Sequence, residues 1–235
     1  MPAAELRASA AHVFVADLEV PHLEEQDRHH LERVLRLRPG QPVTVADGDG
    51  GWRRCAWVGG GRLEPCGGEG REPTPTPSVT VGFALTKGER PEWVVQKLTE
   101  AGVDRIVPFV AARSVVRWDA DKAERSAGRW QRVAREAAMQ SRRTRLPALE
   151  PVTTVVEAAA RLGPAASLAE PGGAPTSLER PAVLVGPEGG WAVEELGAGL
   201  PTVGLGPTVL RADTAAVAAG LLLCALRAGV VRAAP

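Results

Sequence analysis

The chain has 235 residues, 44% of them hydrophobic and 24% charged, which is enough apolar material for one large core or two smaller ones. Its 28 basic and 28 acidic residues cancel, so the composition excludes a uniformly basic nucleic-acid-binding protein, and any contact with RNA must use a local positive patch. The three cysteines form no C-x-x-C pair, which argues against a zinc site or a disulfide framework.

Neither end of the chain predicts a membrane segment. The N-terminus has no basic start followed by a long apolar stretch, as a signal peptide would. The run AAVAAGLLLCAL near the C-terminus is too short to span a bilayer and fits a buried helix. We therefore expect a soluble, cytoplasmic protein that holds no metal ion.

The first 70 residues have the pattern of a small β-barrel with one helix. The segment EEQDRHHLERVLRLRPG predicts a short helix that ends before Pro39-Gly40. The pairs Asp47-Gly48 and Asp49-Gly50 predict a hairpin turn. The strand-like segments are 13–16, 42–47 and 52–58.

Residues 66–77, CGGEGREPTPTP, break this pattern. Their glycines and alternating Pro-Thr run suit neither a helix interior nor a central strand. We therefore predict a linker here, between a domain of residues 1–70 and a second domain of residues 75–235.

From residue 79 onward strands alternate with helices, which indicates a mainly parallel α/β sheet. One helix begins at Pro91 and ends at Gly102, and a long basic helix follows the next strand. The last helix is predicted from Asp213 to about Arg227, with Asp213 or Thr214 as its cap. The predicted strands are 79–85, 104–110, 166–170, 182–186 and 202–206.

The segment VLVGPEGGWAVEEL, residues 183–196, places a glycine-rich turn between a buried strand and a helix. The turn lacks the G-x-G-x-x-G spacing of dinucleotide-binding loops and the lysine of a P-loop. Pro187 also removes a backbone donor that a phosphate site would use. These features exclude a phosphate-binding loop and leave a plain strand-to-helix turn as the alternative to another kind of ligand site.

The segment VGLGPTVLRADTAA, residues 203–216, repeats this order of strand, Gly-Pro turn and helix. Ligands of open α/β sheets bind where the carboxyl ends of parallel strands meet. An apolar slot there, with free backbone groups, suits a nucleoside with little phosphate, such as S-adenosylmethionine. The residues expected to line the slot are Leu205, Val209, Leu210 and Ala215.

Several ordered blocks of the chain resemble the RsmE-type family of ribosomal RNA methyltransferases, in the SPOUT superfamily. The most specific are GPEGG and, about 15 residues later, LGPTVLRADTAA. The others are HHLERVLRLRPGQPVTVADG at 29–48, KGERPEWVVQKLTEAGVDRIVPF at 87–109, ARSVVRW at 112–118 and WQRVAREAAMQSRRTRLPALEP at 130–151.

The resemblance implies methylation of N3 of a uridine in 16S ribosomal RNA, with S-adenosylmethionine as the methyl donor. It also implies a deep trefoil knot in a SPOUT domain, an RNA-binding PUA-like β-barrel at residues 1–70, and a homodimer. The expected cofactor-binding residues are Leu168, Gly186, Glu188, Gly189, Leu205, Gly206, Val209, Leu210, Thr214 and Ala215.

Three positions depart from the family's usual pattern. Asp213 stands where the family has Glu, which keeps the charge and shortens the side chain by one methylene. Met139 and Arg142 stand where Glu and Gly are common. The last two changes concern the expected RNA contacts more than the cofactor site.

Seven arginines and one acidic residue lie between residues 125 and 147. Those of the helix could form a solvated face, whereas Gln140–Arg145 runs past the helix, where exposed arginines pair with phosphates or stack on bases. The neighbouring His29 and His30 fit a surface or packing role better than metal binding. The predicted RNA-binding residues are Gln140, Arg143 and Arg145, with Arg33, Arg36, Lys87 and Arg113 as further candidates.

Arg211 directly follows the apolar cofactor segment, and we expect it to stabilise negative charge that develops on the uracil during methyl transfer. No residue stands out as the general base, because Glu188 and Asp213 fit turn and capping roles better. Two alternatives stay open. A tRNA ribose 2′-O-methyltransferase of the same superfamily would lack the barrel, and a non-catalytic RNA-binding protein would need no adenosine pocket.

Overall fold

The computed structural model describes residues 4–114, 116, 120–196 and 199–232, so part of the ARSVVRW block lies outside the described residues. The chain divides into two units. The first comprises residues up to Thr74 together with Arg135–Leu146, and the second comprises Pro75–Ala134 and the residues from Pro147 onward. We assigned residues 75–235 to a single domain; the structure differs because Arg135–Leu146 packs in the first unit.

The first unit is built on a sheet with the order β1-β2-β3-β4 among its described residues. The β1 and β2 strands are parallel, and the other pairs are antiparallel. Gly48 and Gly50, between β2 and β3, have φ values of +82° and +92°, which confirms the predicted hairpin turn. Closure of the sheet into a PUA-like barrel stays a prediction. The strands are β1 (Ala11–Phe14), β2 (Pro42–Ala46), β3 (Gly51–Gly59) and β4 (Arg62–Arg71).

The linker predicted at 66–77 is wrong over its first part, because β4 continues to Arg71. At residue 70 the strand requires glycine, because a Cβ on Gly70 would overlap the ring of Trp52 on β3. The β4 strand also lies at the edge of the sheet, and its register against β3 shifts twice. Glycine-rich, irregular strands are tolerated at such edges.

Short helices cover the core of this sheet. The α1 helix spans Ala4–Ala8, and α2 spans Glu25–His29 and continues into a π-helical turn at His30–Val34. The predicted helix is therefore confirmed, but it ends at Val34, before the Pro39-Gly40 stop, and its second half has π-helical geometry. The buried side chains between helix and sheet include Val13, Leu31, Val43, Val45 and Trp57.

Residues 135–146 belong to the first unit because their polar groups are satisfied there. Arg135 forms an ion pair of 2.6 Å with the buried Asp27 and donates to the carbonyl oxygen of Phe14. The Thr144 hydroxyl, on a residue that is 1% exposed, donates to the Glu72 carboxylate at 2.9 Å. These bonds within the unit give the segment a fixed position.

The second unit contains a parallel α/β sheet, as predicted. All the strand pairs among its described residues are parallel, in the order β11-β9-β10-β5-β6-β7, with β8 beside β6. The trefoil knot stays a prediction. The strands are β5 (Thr80–Ala84), β6 (Arg105–Val110), β7 (Ala148–Leu149), β8 (Thr153–Thr154), β9 (Ala166–Pro175), β10 (Ala182–Val185) and β11 (Thr202–Gly204).

Two helices pack over the middle of this sheet with little space between them. The α3 helix has Pro91 in its first turn and ends at Gly102, whose φ of +94° confirms the predicted stop. A Cβ on Gly220 of α7 would lie 2.6 Å from Leu98 of α3, so the glycine permits the close contact. The helices are α3 (Arg90–Ala101), α4 (Ala120–Gln140), α5 (Val155–Leu162), α6 (Val193–Leu196) and α7 (Ala212–Arg227).

In the part of the chain that the structure describes, every helix is too short or too polar to cross a membrane.

Candidate functional site

The carboxyl ends of three neighbouring parallel strands meet at one edge of the second unit's sheet. The β9 strand lies between β10 and β11, and Val185, the last residue of β10, is level with Ala169 of β9. The segments that leave β10 and β11 are therefore adjacent at this edge. Each of them is one of the two Gly-Pro turns of the sequence pattern.

The turn after β10 is held by a tryptophan. The N–H of Gly190, with φ +69°, donates to the carbonyl oxygen of Pro187 at 2.9 Å and closes the turn. The Trp191 ring then packs on Gly186, where a Cβ would lie 2.9 Å from the ring. Its Nε1 donates to the carbonyl oxygen of Ala169 at 3.0 Å. These contacts fix the turn against β9.

A pocket lies between the ends of β9, β10 and β11, and most of its lining is apolar. The charged residues among those that line it are Glu170 and Glu188. The expected cofactor residues found in the lining are Gly186, Glu188, Leu205, Gly206, Val209, Leu210 and Ala215. Sequence reasoning missed Ala169, Glu170, Pro171, Trp191 and Thr208.

Three of the expected cofactor residues do not line this pocket. Leu168 is 1% exposed and lies in the core, because alternation along β9 gives the position in the lining to Ala169. The carbonyl oxygen of Gly189 accepts a bond of 3.1 Å from Arg113. Thr214 is exposed, and its N–H donates to Asp213 at 2.8 Å.

Arg90, at the start of α3, links the turn after β10 to the first turn of α7 and was not predicted. Its Nη1 lies 3.2 Å from the Glu188 carboxylate, and its Nε lies 3.8 Å from that of Asp213. Glu188 therefore both lines the pocket and forms an ion pair. Sequence reasoning could have found Arg90 only from its place directly before the helix-starting Pro91.

A buried carboxylate orders the neighbouring loop. Glu195 is 6% exposed and accepts a hydrogen bond of 2.8 Å from the N–H of Ala112 and another of 2.8 Å from the N–H of Ala192. The first bond ties the loop that carries Arg113 to the segment after the GPEGG turn. Glu195 thus has a structural role that its sequence context did not reveal.

Arg211 is exposed and is the N-cap residue of α7. Its carbonyl oxygen accepts the N–H of Ala215 at 2.7 Å, while its side chain makes no capping bond. The prediction that Asp213 or Thr214 caps this helix is therefore wrong. The acidic Asp213 lies in the first turn, where a negative charge interacts favourably with the helix dipole.

The predicted RNA-binding residues differ in how accessible they are. Arg145 has a side chain only 17% exposed that pairs with Asp49 at 2.6 Å and donates to the carbonyl oxygen of Glu72. Its hydrogen bond also lowers the pKa of Asp49. Arg145 thus supports the first unit's fold rather than a free basic surface. The exposed candidates are Arg33, Arg36, Lys87, Arg113 and Gln140, and Arg143 is half-buried.

In the helical part of the basic stretch, Arg129 forms an ion pair of 2.6 Å with Glu92 of α3. This agrees with the interpretation of that part as a solvated helix face. Among the described residues no cluster of three or more His, Cys, Asp or Glu side chains is arranged to hold a metal ion.

The fold and the pocket define the class of protein. Residues 72–223 match the family described as RNA methyltransferase domain, and residues 23–56 match the RNA methyltransferase PUA domain. The ribosomal RNA small subunit methyltransferase E of Mycobacterium tuberculosis is 36% identical over 217 residues, covering 81% of this chain and 80% of that protein. The corresponding protein of Bacillus subtilis is 30% identical over 226 residues, covering 81% and 84%.

A solved structure shares the fold over most of both chains. It is the ribosomal RNA small subunit methyltransferase E of Neisseria gonorrhoeae bound to S-adenosyl methionine, with a TM-score of 0.76 and 26% identity over 93% of this chain and 97% of that one. The chain belongs to the ribosomal RNA small subunit methyltransferase E family.

Proposed function

We propose that this protein methylates N3 of a uridine in 16S ribosomal RNA, with S-adenosylmethionine as the methyl donor. The observation that carries the proposal is the pocket at the ends of β9, β10 and β11, enclosed by two Gly-Pro turns. The named activity of the relatives and the S-adenosyl methionine bound to the Neisseria protein support it.

The charges of the pocket suit this cofactor. When bound, S-adenosylmethionine supplies a methyl group on a cationic sulfur. The carboxylates of Glu170 and Glu188 line the pocket and attract a cation, and they would repel the phosphates of a nucleotide. Leu205, Leu210 and Ala215 offer apolar contact to an adenine ring, beside backbone groups that can bind its polar edge.

The pocket encloses only part of a ligand of this size. Its volume is about 230 Å³, below the range of about 300–1,000 Å³ that is usual for sites of drug-sized ligands. Val209, in the lining, is 85% exposed. We infer that the cofactor extends over Val209, which would be covered when the site is filled.

Two roles follow for charged residues beside the pocket. Arg211 lies in the chain between the lining residues Leu210 and Ala212, and we assign to its guanidinium the stabilisation of negative charge on the uracil. Arg90 would hold Glu188 and the start of α7 in place. We assign no general base, because Glu188 and Asp213, the two carboxylates in the segments that form the turns, both face Arg90.

The proposal includes the assembly that the family resemblance implies. The protein would act as a homodimer with a trefoil knot around the cofactor pocket, and its first unit would bind RNA. Matching of residues 23–56 to the PUA domain of RNA methyltransferases supports the last point.

Two measurements test the proposal. Isothermal titration with S-adenosylmethionine should give one site per chain, and mass mapping of 16S ribosomal RNA from a deletion strain should lack one base methylation that the restored gene returns. A methyl group found on a ribose of tRNA would support the other SPOUT activity instead. Failure to bind the cofactor would favour a non-catalytic RNA-binding protein.

A further inference from the structure

The first unit contains a cleft of its own, beside the edge strand β1. It lies between β1, the α2 helix with its π-helical turn, and residues 136–142. Its volume of about 620 Å³ falls within the range of about 300–1,000 Å³ typical of ligand sites. We call it the β1 cleft. Side chains in its lining include Gln26, His29, Val34, Leu35, Gln140 and Arg142.

The lining combines apolar surface with neutral hydrogen-bonding groups. Val34 and Leu35 are 61% and 43% exposed, so the cleft offers apolar surface that the fold itself does not cover. The amide of Gln140 can both donate and accept, which is what the edge of a nucleobase requires. His29 adds an imidazole. A flat heterocycle with polar edges matches this combination.

The backbone around the cleft is unusual in two places. Arg36, two residues beyond the π-helical turn, has a φ of +50°, and Arg142, in the lining, has a φ of +61°. Side chains other than glycine rarely adopt this region, and such strain concentrates at binding sites. The turn at His30–Val34 has the π geometry that is likewise frequent at functional sites.

Positive charge lies next to the cleft. The stretch from residue 28 to residue 38 contains four arginines and one glutamate. Asp27, in the lining, is paired with Arg135. Among the described residues of the lining, Glu136 is the acid that forms no salt bridge. Arg33 and Arg36 are exposed and flank the lining residues Val34 and Leu35 in the chain, so both are available to the phosphates of an RNA strand.

We propose that the β1 cleft binds an unpaired nucleotide of the substrate RNA. Gln140 would read the edge of the base, Val34 and Leu35 would contact its face, and Arg33 and Arg36 would pair with the flanking phosphates. Sequence-specific recognition of RNA uses bases that are splayed out of single strands in this way. The proposal rests on the proposed function, because it takes RNA as the substrate. The flanking arginines favour RNA over a peptide as the occupant.

The test compares two valine variants of the full chain. Val34→Glu adds a carboxylate inside the cleft, and Val20→Glu adds the same charge at a position of similar exposure, 56%, that is not in the lining. Binding to a fluorescent unpaired RNA of about 12 nucleotides is measured by anisotropy. Val34→Glu should weaken binding about tenfold, and Val20→Glu less than about twofold.

Salt dependence separates base contacts from phosphate contacts. Gln140→Ala should weaken RNA binding about fivefold without changing the slope of log K against log salt, while Arg36→Ala should reduce that slope by about one. Equal effects of the two glutamate variants would overturn the proposal. Unchanged RNA binding in Val34→Glu would also overturn it and point to a protein occupant.

Cofactor titration keeps this test distinct from the test of the proposed function. Val34→Glu should bind S-adenosylmethionine like the unmodified chain, because the cofactor pocket is formed by residues of the second unit. An unmodified chain that binds no cofactor would refute the proposed function. A chain that binds cofactor and RNA, but is insensitive to Val34→Glu, would refute the β1 cleft alone.

Discussion

His12 Nε2 lies 2.8 Å from the carbonyl oxygen of Arg143, and this bond joins β1 to the segment that returns to the first unit from α4. A carbonyl oxygen only accepts, so Nε2 carries the proton, and Nδ1 accepts from the Thr44 hydroxyl at 2.8 Å. His12 is 2% exposed. The ring is thus held neutral in the interior.

The first prediction concerns pH. Burial lowers the pKa of His12 from 6.5 to about 4. Because the unfolded chain takes up the proton at a higher pH, the folded state loses stability as the pH falls from about 6.5 towards 4. We expect a loss of about 2.5 kcal/mol from His12 between pH 7 and pH 4.5.

Denaturant unfolding at the two pH values measures this loss. His12→Gln should remove that part of the pH dependence, and His22→Gln, at an exposed histidine, should leave it unchanged. An undiminished pH dependence in His12→Gln would contradict the prediction.

The second prediction concerns Arg142, whose φ of +61° lies in the left-handed region that favours glycine. Arg142→Gly and Arg142→Ala both lose the bond from Nη2 to the carbonyl oxygen of Ser9. Only the alanine keeps the backbone strain. The glycine variant should therefore be the more stable of the two by about 1 kcal/mol in denaturant unfolding. An alanine variant of equal stability would show that the strain is negligible.

The third prediction concerns the contact between Gly186 and Trp191. Gly186→Ala would place a methyl group 2.9 Å from the ring, so Trp191 must move. We expect a destabilisation of about 1–3 kcal/mol and a marked loss of S-adenosylmethionine affinity. Gly128→Ala is the matched control, because this helical glycine has open space around its Cα and the alanine should stabilise the helix by about 0.5–1 kcal/mol. Unchanged cofactor affinity in Gly186→Ala would argue against the pocket.

The fourth prediction concerns Arg90. Its ion pairs with Glu188 and Asp213 are half-exposed, so Arg90→Ala should weaken S-adenosylmethionine binding only about three- to fivefold. Arg90→Glu should weaken it more, through repulsion of both carboxylates. The exchange Arg90→Glu with Glu188→Arg should recover part of the loss. Titration of all variants forms a double-mutant cycle, and a coupling near zero would mean that Arg90 does not position the turn.

The fifth prediction concerns Arg211. Its exposed side chain lies outside the pocket lining, so Arg211→Ala should bind S-adenosylmethionine normally. Single-turnover methylation should fall by about 100-fold if the guanidinium stabilises the developing charge. Arg211→Lys should recover part of the rate. Full turnover in the alanine variant would remove Arg211 from the mechanism.

The sequence predicted the order of the helices and strands better than the residues at which they begin and end. Periodic segments bounded by proline or glycine, such as α3 between Pro91 and Gly102, have local causes and were found. The β4 strand was missed because its glycines oppose a strand locally, whereas its pairing with β3, including the close approach of Trp52 to Gly70, favours it.

The residues of the candidate site also divide into those that a local sequence pattern reveals and those that it does not. Residues in the two Gly-Pro segments could be found, since each segment carries its own pattern. Arg90 and Glu195 act through partners distant in the chain, and Glu170 lines the pocket together with residues from the ends of other strands. Nothing in their local sequence distinguishes them from ordinary charged residues. Arg145 was predicted to bind RNA because the local sequence gives no sign of its ion pair with Asp49, which is 96 residues away.

The return of residues 135–146 to the first unit has a consequence for synthesis on the ribosome. When residues 1–74 leave the exit tunnel, Asp27 still lacks Arg135, and His12 lacks the Arg143 carbonyl. A buried carboxylate without its counter-charge costs about 3–5 kcal/mol. The amino-terminal unit must therefore wait for residue 146 before it can complete its fold, and a truncated gene that stops at Thr74 should give an unstable product.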